Sequence, residues 1–257
     1  MELKQVTKND GIREPRVNGF YGRHFDNFLE FRRASRPEYE GLTAILLERL
    51  PKNAKEILDV GCGDGHIPAL LMERISANFH LLDQSALAIE KARMRAPAAV
   101  EFIAEDVNSY LPTIPDRSFD AILAVNSLYG ATLDRNFAER IMAKLIDGGV
   151  FILVLATGNS QFVDLQKKYW SSVHEDSDYK KNIFEDALRV FGGDWQIARM
   201  PLETGTLTTE QCERIAMFML YADRLFEPVR ELAGELHELG SITQEYGILC
   251  ISRKRER

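Results

Sequence analysis

Short apolar runs alternate with amphipathic segments through the middle of the chain. Helical spacing of Phe137, Ile141 and Leu145 predicts one of the helices, and Ser85 is placed to cap another that ends near Arg95. The apolar runs predict a first strand from Ile57 and further strands at 79–83, 100–104, 119–125 and 150–155. Strands that alternate with helices predict a parallel sheet with both faces covered.

The regular alternation stops after Ala156. The pattern there predicts two helices, around 162–170 and 182–191, and a sixth strand at 195–200. The sequence Thr208-Thr209-Glu210-Gln211 has the form of a capping box, and Pro228 is suited to the first turn of a further helix. A seventh strand follows only at 244–252. The predicted fold class is α/β, with a doubly wound, mostly parallel seven-stranded sheet and a helical insertion at about 203–241.

The length of 257 residues suits one large α/β domain or a core with a small cap. We divide it into an N-terminal arm with helices at 1–50, a ligand-binding core at 51–156, and a C-terminal part at 157–257 that carries the insertion. The first twenty residues are polar and rich in glycine and proline, which predicts a flexible arm or lid. Aromatic side chains follow on one helical face, and Ser35-Arg36-Pro37-Glu38 then has the form of another capping box.

The stretch from 57 to 71 predicts a strand, a glycine-rich turn and a helix with proline in its first turn. Glycines let the backbone turn sharply and come close to a ligand. A dinucleotide-binding loop needs glycine at its first, third and sixth positions, and here the sixth is His66. The flanking acids Asp59 and Asp64 suit an ammonium group better than a pyrophosphate, so a nicotinamide-dependent oxidoreductase is disfavoured.

At this loop, Asp59-x-Gly61-x-Gly63-x-Gly65, the sequence resembles the class I S-adenosylmethionine-dependent methyltransferases, which have a Rossmann-like fold. Asp83 ends the second strand, where an acid can accept hydrogen bonds from both ribose hydroxyls. The resemblance implies that Asp59 receives the ammonium group of the cofactor, directly or through water, and that Asp106, or Glu105 in its place, receives the adenine amino group. The same site would hold the product, S-adenosyl-L-homocysteine. The remaining residues expected to contact the cofactor are Gly61, Cys62, Gly63, Gly65, Gln84, Val107 and Val125.

Residues 125–129 follow the fourth strand and are expected to line the floor beneath the transferring methyl. No proline follows Asn126, so the segment departs from the Asn/Asp-Pro-Pro-Tyr pattern of enzymes that methylate the amino groups of DNA bases or of glutamine. Its Asn126-x-x-Tyr129, with Tyr21-Gly22-Arg23-His24 and Thr157-Gly158-Asn159-Ser160, resembles the histamine N-methyltransferase type. That resemblance implies catalytic roles for Asn126 and Tyr129. It implies substrate contacts from Tyr21, Phe25, Phe28, Glu38, Asn126, Phe162 and Gln244.

One of these positions has a competing interpretation, and one further position departs from the family's pattern. Glu38 matches the family's acid only with a one-residue shift, and its place in the capping box explains it equally well. Gln166 stands where the family has its second aromatic wall residue, so the chain departs from the pattern and histamine itself is not implied.

The charge balance of 32 basic and 39 acidic residues gives a net charge of −7, which argues against nucleic-acid binding. The three cysteines have no paired spacing, so neither a disulfide framework nor a metal site is expected. The first residues lack a signal-peptide core and no apolar run could span a membrane. We therefore expect a cytoplasmic monomer or homodimer with no membrane partner.

The sequence predicts an S-adenosylmethionine-dependent methyltransferase that acts on a small molecule, with an amine or heteroaromatic nitrogen as the first choice of acceptor. Two alternatives stay open. One is a small-molecule O-methyltransferase that uses a phenolic or carboxylate oxygen, and the other is a cofactor-binding homologue without turnover.

Overall fold

The computed structural model describes residues 36–96, 100–128, 133–174 and 183–254, together with Asn27, Glu30, Phe31 and Ala34. No helix within these ranges is both long and apolar enough to cross a membrane. The predictions made for residues 1–20 and for Tyr21, Phe25, Phe28, Ser35 and Tyr129 lie outside the described residues.

The strands lie where the apolar runs predict them, within a few residues at either end. They are β1 Glu56–Val60, β2 Asn78–Leu82, β3 Val100–Ile103, β4 Phe119–Val125, β5 Leu145–Ala156, β6 Asp194–Glu203 and β7 Ser241–Ser252. The central strands β1 and β4 are buried along almost their whole length, as expected for strands covered on both faces.

Several helices begin at capping residues that the sequence contains. Ser85 accepts a hydrogen bond from the Ala88 amide, and Thr208 and Gln211 form the predicted capping box. The helices are α1 Arg36–Arg49, α2 His66–Met72, α3 Ala86–Arg95, α4 Val107–Tyr110, α5 Arg135–Lys144, α6 Gln161–Val173, α7 Ile183–Phe191, α8 Thr209–Met219 and α9 Glu227–Leu239.

Seven described strands form one sheet in the order β3-β2-β1-β4-β5-β7-β6. Strands β1 to β5 pair in parallel, and β7 runs antiparallel to β5 with Tyr246 opposite Ala156. The predicted doubly wound, mostly parallel sheet is confirmed. The chain reverses its direction of winding between β1 and β4, and ligands of such sheets bind at the carboxyl ends of the strands beside this reversal.

The prediction for Leu145 was wrong. Its helical spacing from Ile141 placed it on a helix, but α5 ends at Lys144 and Leu145 is the first residue of β5. Leu145 lies opposite Phe119 across the sheet, and an irregularity in pairing follows before Ala121 meets Val150. The strand therefore continues through the glycine turn that was expected to start it, because Gly148 supplies the positive φ of 83° that the irregular segment requires.

Two compact units make up the chain. The core unit comprises residues 38–157, 182–199 and 245–257, and the second unit comprises residues 1–37, 158–181 and 200–244. Each has its own hydrophobic core. In the core unit, side chains of the sheet pack with those of α5 and α7, including Leu58, Phe137, Phe151, Phe184 and Leu249. In the second unit, helices α6, α8 and α9 pack together through Trp170, Ile215, Met219, Leu232 and Leu236.

Candidate active site

The glycine loop joins β1 to α2 at the carboxyl end of the sheet. Gly61, Gly63 and Gly65 have positive φ angles of 73°, 56° and 76°, a region that other residues rarely occupy. The amides of Gly61 and Cys62 donate to the Leu82 carbonyl at 2.7 and 3.0 Å, which ties the loop to the end of β2. The loop is therefore held against the sheet at the predicted ligand crevice.

Two of the glycines are also required because their neighbours leave no room for a side chain. A Cβ on Gly61 would overlap the Cβ of Ser127, which follows β4. A Cβ on Gly65 would lie 3.1 Å from the Cα of Ala92 in α3, so the start of α2 packs closely on that helix. Ser127 was expected only as part of the segment 125–129, and its contact with Gly61 was not predicted, because a serine after a strand has no signal of its own.

Asp83 connects the end of β2 to the glycine loop. Its Oδ2 accepts a 3.0 Å hydrogen bond from the Gly63 amide, and its Oδ1 accepts a 2.8 Å hydrogen bond from the Ser85 amide. Each carboxylate oxygen can accept more than one hydrogen bond, so both retain capacity for a ligand hydroxyl. Burial raises the pKa of Asp83, and the two backbone amides oppose that rise.

Asp59 lies inside the sheet end, where its side chain is only 2% exposed and its Oδ1 has no hydrogen-bond partner. Burial raises its pKa from 3.8 to about 7, and the neighbouring charge of Asp83 contributes to the rise. Burial raises the pKa of the Cys62 thiol in the loop, and the charges of Asp59, Asp83 and Asp64 add to the rise. An unpaired buried acceptor of this kind suits a cationic ligand group.

Asp64 has a different role from the one that its sequence position suggested. It is buried, and its Oδ2 forms an ion pair with Arg95 at 3.1 Å. The same guanidinium lies 3.0 Å from Nδ1 of His66. Arg95 at the end of α3 therefore neutralises one acid of the loop, which leaves Asp59 and Asp83 as the acids that can face a ligand.

The acids after β3 lie on the surface. Glu105 and Asp106 are exposed, and Oδ1 of Asp106 accepts a 2.8 Å hydrogen bond from the Asn108 amide, so that Asp106 caps α4. Val107 behind them is buried, and Gln84 after β2 is half-buried. Both acids stay predictions for the adenine amino group.

Asn126 follows the buried Val125 at the end of β4 and has a φ of 50°, a left-handed conformation that asparagine adopts more readily than most residues. Its amide donates to the Val154 carbonyl of β5 at 2.9 Å. Its side-chain Nδ2 lies 3.4 Å from Oε1 of Glu38, which is fully buried on α1. Tyr246 of β7 donates to the same oxygen at 2.7 Å. The structure thus brings Glu38 and Asn126 together and adds Tyr246, which was not predicted.

The other substrate candidates with described positions, Phe162 and Gln244, belong to the second unit. Phe162 meets the ring of Phe31 edge-on at a centroid distance of 5.7 Å, and Gln244 is buried. Gln166, where the histamine type has an aromatic residue, is buried and donates to the Met219 carbonyl. These residues stay predictions, as does Tyr129, which lies outside the described ranges together with the aromatics of the N-terminal segment.

The residues at the glycine loop fit S-adenosylmethionine. The unpaired buried Oδ1 of Asp59 can receive an ammonium group, Asp83 can receive two ribose hydroxyls, and the glycines leave room for close backbone approach. A pyrophosphate does not fit, because the carboxyls of the buried Asp59 and the half-buried Asp83 would repel it. Within the described ranges no group of His, Cys, Asp or Glu side chains could hold a metal ion.

Comparison with known proteins agrees with this assignment. The family described as "Methyltransferase domain" matches residues 51–215. Trans-aconitate 2-methyltransferase of Paracidovorax citrulli is 34% identical over 121 residues, which are 46% of this chain and 44% of that protein. Mitochondrial ubiquinone biosynthesis O-methyltransferase of Schizosaccharomyces pombe is 32% identical over 119 residues, which are 44% of this chain and 42% of that protein. The chain thus matches less than half the length of these curated relatives.

Solved structures show the same fold at lower identity. One described as a methyltransferase, possible histamine N-methyltransferase, from Thermotoga maritima has a TM-score of 0.58 and 14% identity, over 93% of this chain and 100% of that one. At that identity the likeness shows the fold alone. Fold and loop together define the class of Rossmann-like, S-adenosylmethionine-dependent transferases.

The match over residues 51–215 makes the assignment specific. The chain belongs to the methyltransferase domain family, and S-adenosyl-L-methionine is its cofactor.

Proposed function

We propose that the chain methylates the nitrogen of a small amine. The observation that carries the proposal is the fully buried carboxylate of Glu38 in hydrogen-bond contact with Asn126. A buried carboxylate attracts an ammonium group and repels an acidic substrate, and both effects are stronger away from water. A cationic acceptor is therefore favoured over a carboxylate.

The position of this carboxylate relative to the cofactor loop supports a role in substrate binding. Glu38 contacts Asn126, and the next residue, Ser127, donates to the Val60 carbonyl at 2.6 Å, directly before the glycine loop. Two hydrogen bonds and the peptide bond between Asn126 and Ser127 thus connect the carboxylate to the loop.

The cofactor supplies an already activated methyl group on a sulfonium. The residues of the chain therefore need to hold the acceptor aligned and exclude water, and alignment of this kind can supply about 7 to 11 kcal/mol. Glu38 would bind the ammonium form of the substrate, and Asn126 would orient its nitrogen. A protonated amine has no lone pair, so the substrate first releases its proton to solvent. The neutral nitrogen then attacks the methyl carbon as the carbon–sulfur bond breaks and S-adenosylhomocysteine leaves. Turnover at saturating cofactor should therefore rise with pH until the bound amine is deprotonated.

The relatives favour a second candidate, transfer to an oxygen. Trans-aconitate 2-methyltransferase and the ubiquinone O-methyltransferase both match the chain at 32% identity or more. These matches cover less than half of this chain. A heteroaromatic nitrogen acceptor and a cofactor-binding role without turnover remain further alternatives.

The rest of the proposal concerns the whole protein. Phe162 and Gln244, with Tyr21, Phe25 and Phe28, would contact the substrate, and Tyr129 would act beside Asn126. Residues 203–241 would serve as the substrate cap, residues 1–50 would contribute a lid, and residues 51–156 would bind the cofactor. We expect a cytoplasmic monomer or homodimer that binds neither nucleic acid nor membranes.

A methyl-transfer assay with isotope-labelled S-adenosylmethionine tests the proposal. The acceptors are phenethylamine and histamine, with hydrocinnamate and trans-aconitate as acids, and a metabolite extract covers acceptors outside the panel. We expect the label on the nitrogen of an amine, located by mass spectrometry. Label on oxygen, sulfur or carbon of the preferred acceptor would show that the proposal is wrong, and no transfer to any component would favour the non-catalytic alternative.

Two variants connect the activity to the site. Glu38→Gln should raise the KM for the amine at least tenfold, and Asn126→Ala should lower kcat, while the affinity for S-adenosylmethionine stays unchanged in both. Glu245→Gln is the matched control, because Glu245 is a buried carboxylate that binds Thr157 and Arg199. Equal effects of Glu38→Gln and Glu245→Gln on KM would remove Glu38 from the substrate site.

A further inference from the structure

The side chain of Tyr246 is 1% exposed, although it lies on β7 opposite Ala156, the last residue of β5. Its ring is thus buried at the carboxyl end of the sheet, where the crevice lies. Its hydroxyl donates to Oε1 of Glu38 at 2.7 Å. A buried tyrosine hydroxyl normally has a hydrogen-bond partner, but here the partner is the carboxylate to which we assign substrate binding.

The hydrogen bond from Tyr246 affects both the orientation and the charge of Glu38. The Tyr246 hydroxyl and the Asn126 amide group both reach the same oxygen, so they fix the rotation of the carboxylate plane. A donor to a carboxylate favours the ionised form, while full burial favours the neutral form. The hydrogen bond from Tyr246 is therefore placed to keep a buried carboxyl charged.

We infer that Tyr246 is a positioning residue that keeps Glu38 ionised and oriented for a cationic substrate. The inference rests on the proposed function, because it gives Glu38 an amine to bind. Tyr246 does not itself touch the reacting atoms. Its hydroxyl acts through Glu38, so its loss should weaken amine binding and leave the methyl-transfer step almost unchanged.

Glu245, the residue before Tyr246 on β7, has its own hydrogen-bond partners, which are separate from those of Glu38. Glu245 is buried as well, and it accepts hydrogen bonds from Thr157 at 2.7 Å and from Arg199 at 2.9 Å. Successive side chains of a strand point to opposite faces. Replacing the Tyr246 hydroxyl should therefore affect Glu38 without disturbing the bonds of Glu245.

The test variant is Tyr246→Phe, which keeps the buried ring and removes only the hydroxyl. The control is Tyr169→Phe, which removes a tyrosine hydroxyl that donates to Glu235 at 2.9 Å in the second unit. Folding of each variant is checked by its thermal transition and its affinity for S-adenosylhomocysteine. The full-length protein is used throughout.

The first measurement follows the carboxyl carbon of Glu38 by NMR in protein labelled with carbon-13 glutamate, with the signal assigned by its loss in Glu38→Gln. We expect the pH midpoint of its titration to rise by about one pH unit in Tyr246→Phe, a tenfold change in the ionisation constant. Tyr169→Phe should leave the midpoint where it is. An unchanged midpoint in Tyr246→Phe would overturn the inference.

The second measurement is the kinetics of methyl transfer to phenethylamine and histamine. In Tyr246→Phe we expect the KM for the acceptor amine to rise five- to twentyfold at neutral pH, with kcat within about twofold of that of the original protein. A raised NMR midpoint with an unchanged KM would overturn the positioning role and leave a structural one. If the unmodified protein methylates no amine, the proposed function fails, while the NMR titration still decides whether Tyr246 controls the charge of Glu38.

Discussion

The hydroxyl of Ser127 donates a 2.6 Å hydrogen bond to the carbonyl of Val60. This bond joins the loop after β4 to the end of β1, the two strands between which the winding of the sheet reverses. It also brings the Ser127 side chain against Gly61, where no further atom fits. The glycine loop and the proposed catalytic segment are therefore coupled at one point.

This coupling predicts that Gly61→Ala is more damaging than the backbone angle alone requires. Gly192 has a positive φ of 59° with open space around it, so Gly192→Ala should cost about 1 to 2 kcal/mol of stability for conformation only. Gly61→Ala adds the overlap with Ser127 and should lose more stability and most of its cofactor affinity. Urea unfolding and calorimetry compare the two, and equal losses would mean that the loop can move away from Ser127.

Asp83→Ala should weaken S-adenosylmethionine binding by about 1.5 to 3 kcal/mol, because two ribose hydroxyls lose a charged acceptor. Asp120 offers a matched control, since its Oδ2 also accepts two backbone amides, those of Lys55 and Glu56, both at 2.9 Å. Asp120→Ala should lower stability without changing cofactor affinity. Isothermal calorimetry measures both, and unchanged affinity in Asp83→Ala would remove this residue from the site.

Asp59 should make cofactor binding depend on pH. Its pKa of about 7 falls when an ammonium group binds, because a neighbouring cation favours the charged carboxylate. Binding therefore releases a proton. As the pH rises towards 7, the affinity for the cofactor should increase by up to about tenfold for each pH unit. Calorimetry at pH 6.5 in buffers of different ionisation enthalpy counts the protons, and Asp59→Asn should abolish the release.

The same group predicts the pH dependence of stability without cofactor. The folded chain keeps this proton up to about pH 7, whereas an unfolded chain loses it near pH 4. Its contribution to stability is therefore complete below about pH 4 and is lost as the pH rises through 7. The stability of Asp59→Asn minus that of the original chain should therefore be larger at pH 8 than at pH 5. A stability difference that does not change with pH would contradict the assignment.

Two glycines predict stability changes of opposite sign. A Cβ on Gly247 in β7 would overlap the ring of Phe184, so Gly247→Ala should cost about 1 to 3 kcal/mol. Gly234 lies within α9 with nothing near its missing side chain, so Gly234→Ala should gain about 0.5 to 1 kcal/mol. Thermal melts should show a lower Tm for the first variant and a higher Tm for the second.

The sequence pattern was sufficient to predict the sheet and the loop, because both depend on local signals. Buried parallel strands are continuous apolar runs, and a strand followed by three closely spaced glycines has few other interpretations. The error at Leu145 arose because a residue at the junction of a helix and a strand satisfies both periodicities.

The contacts that shape the site could not be predicted, because they join residues far apart in sequence. Tyr246 and Glu38 are 208 positions apart, and no spacing rule links them. Arg95 neutralises Asp64 only because α2 and α3 lie close together, at the contact between Gly65 and Ala92. Sequence could identify Glu38 and Asn126 as candidates, but their contact depends on how α1 packs on the end of the sheet.

The place of β7 between β5 and β6 has a consequence for synthesis of the protein. A ribosome produces β1 to β6 before β7, so the edge of β5 stays without its partner until residues 246–252 have emerged. An unpaired strand edge is a template for pairing with other chains. The nascent protein is therefore most exposed to aggregation while β7 is incomplete, and a ribosome stalled there would hold a sheet that ends at β5, with β6 still lacking its partner β7.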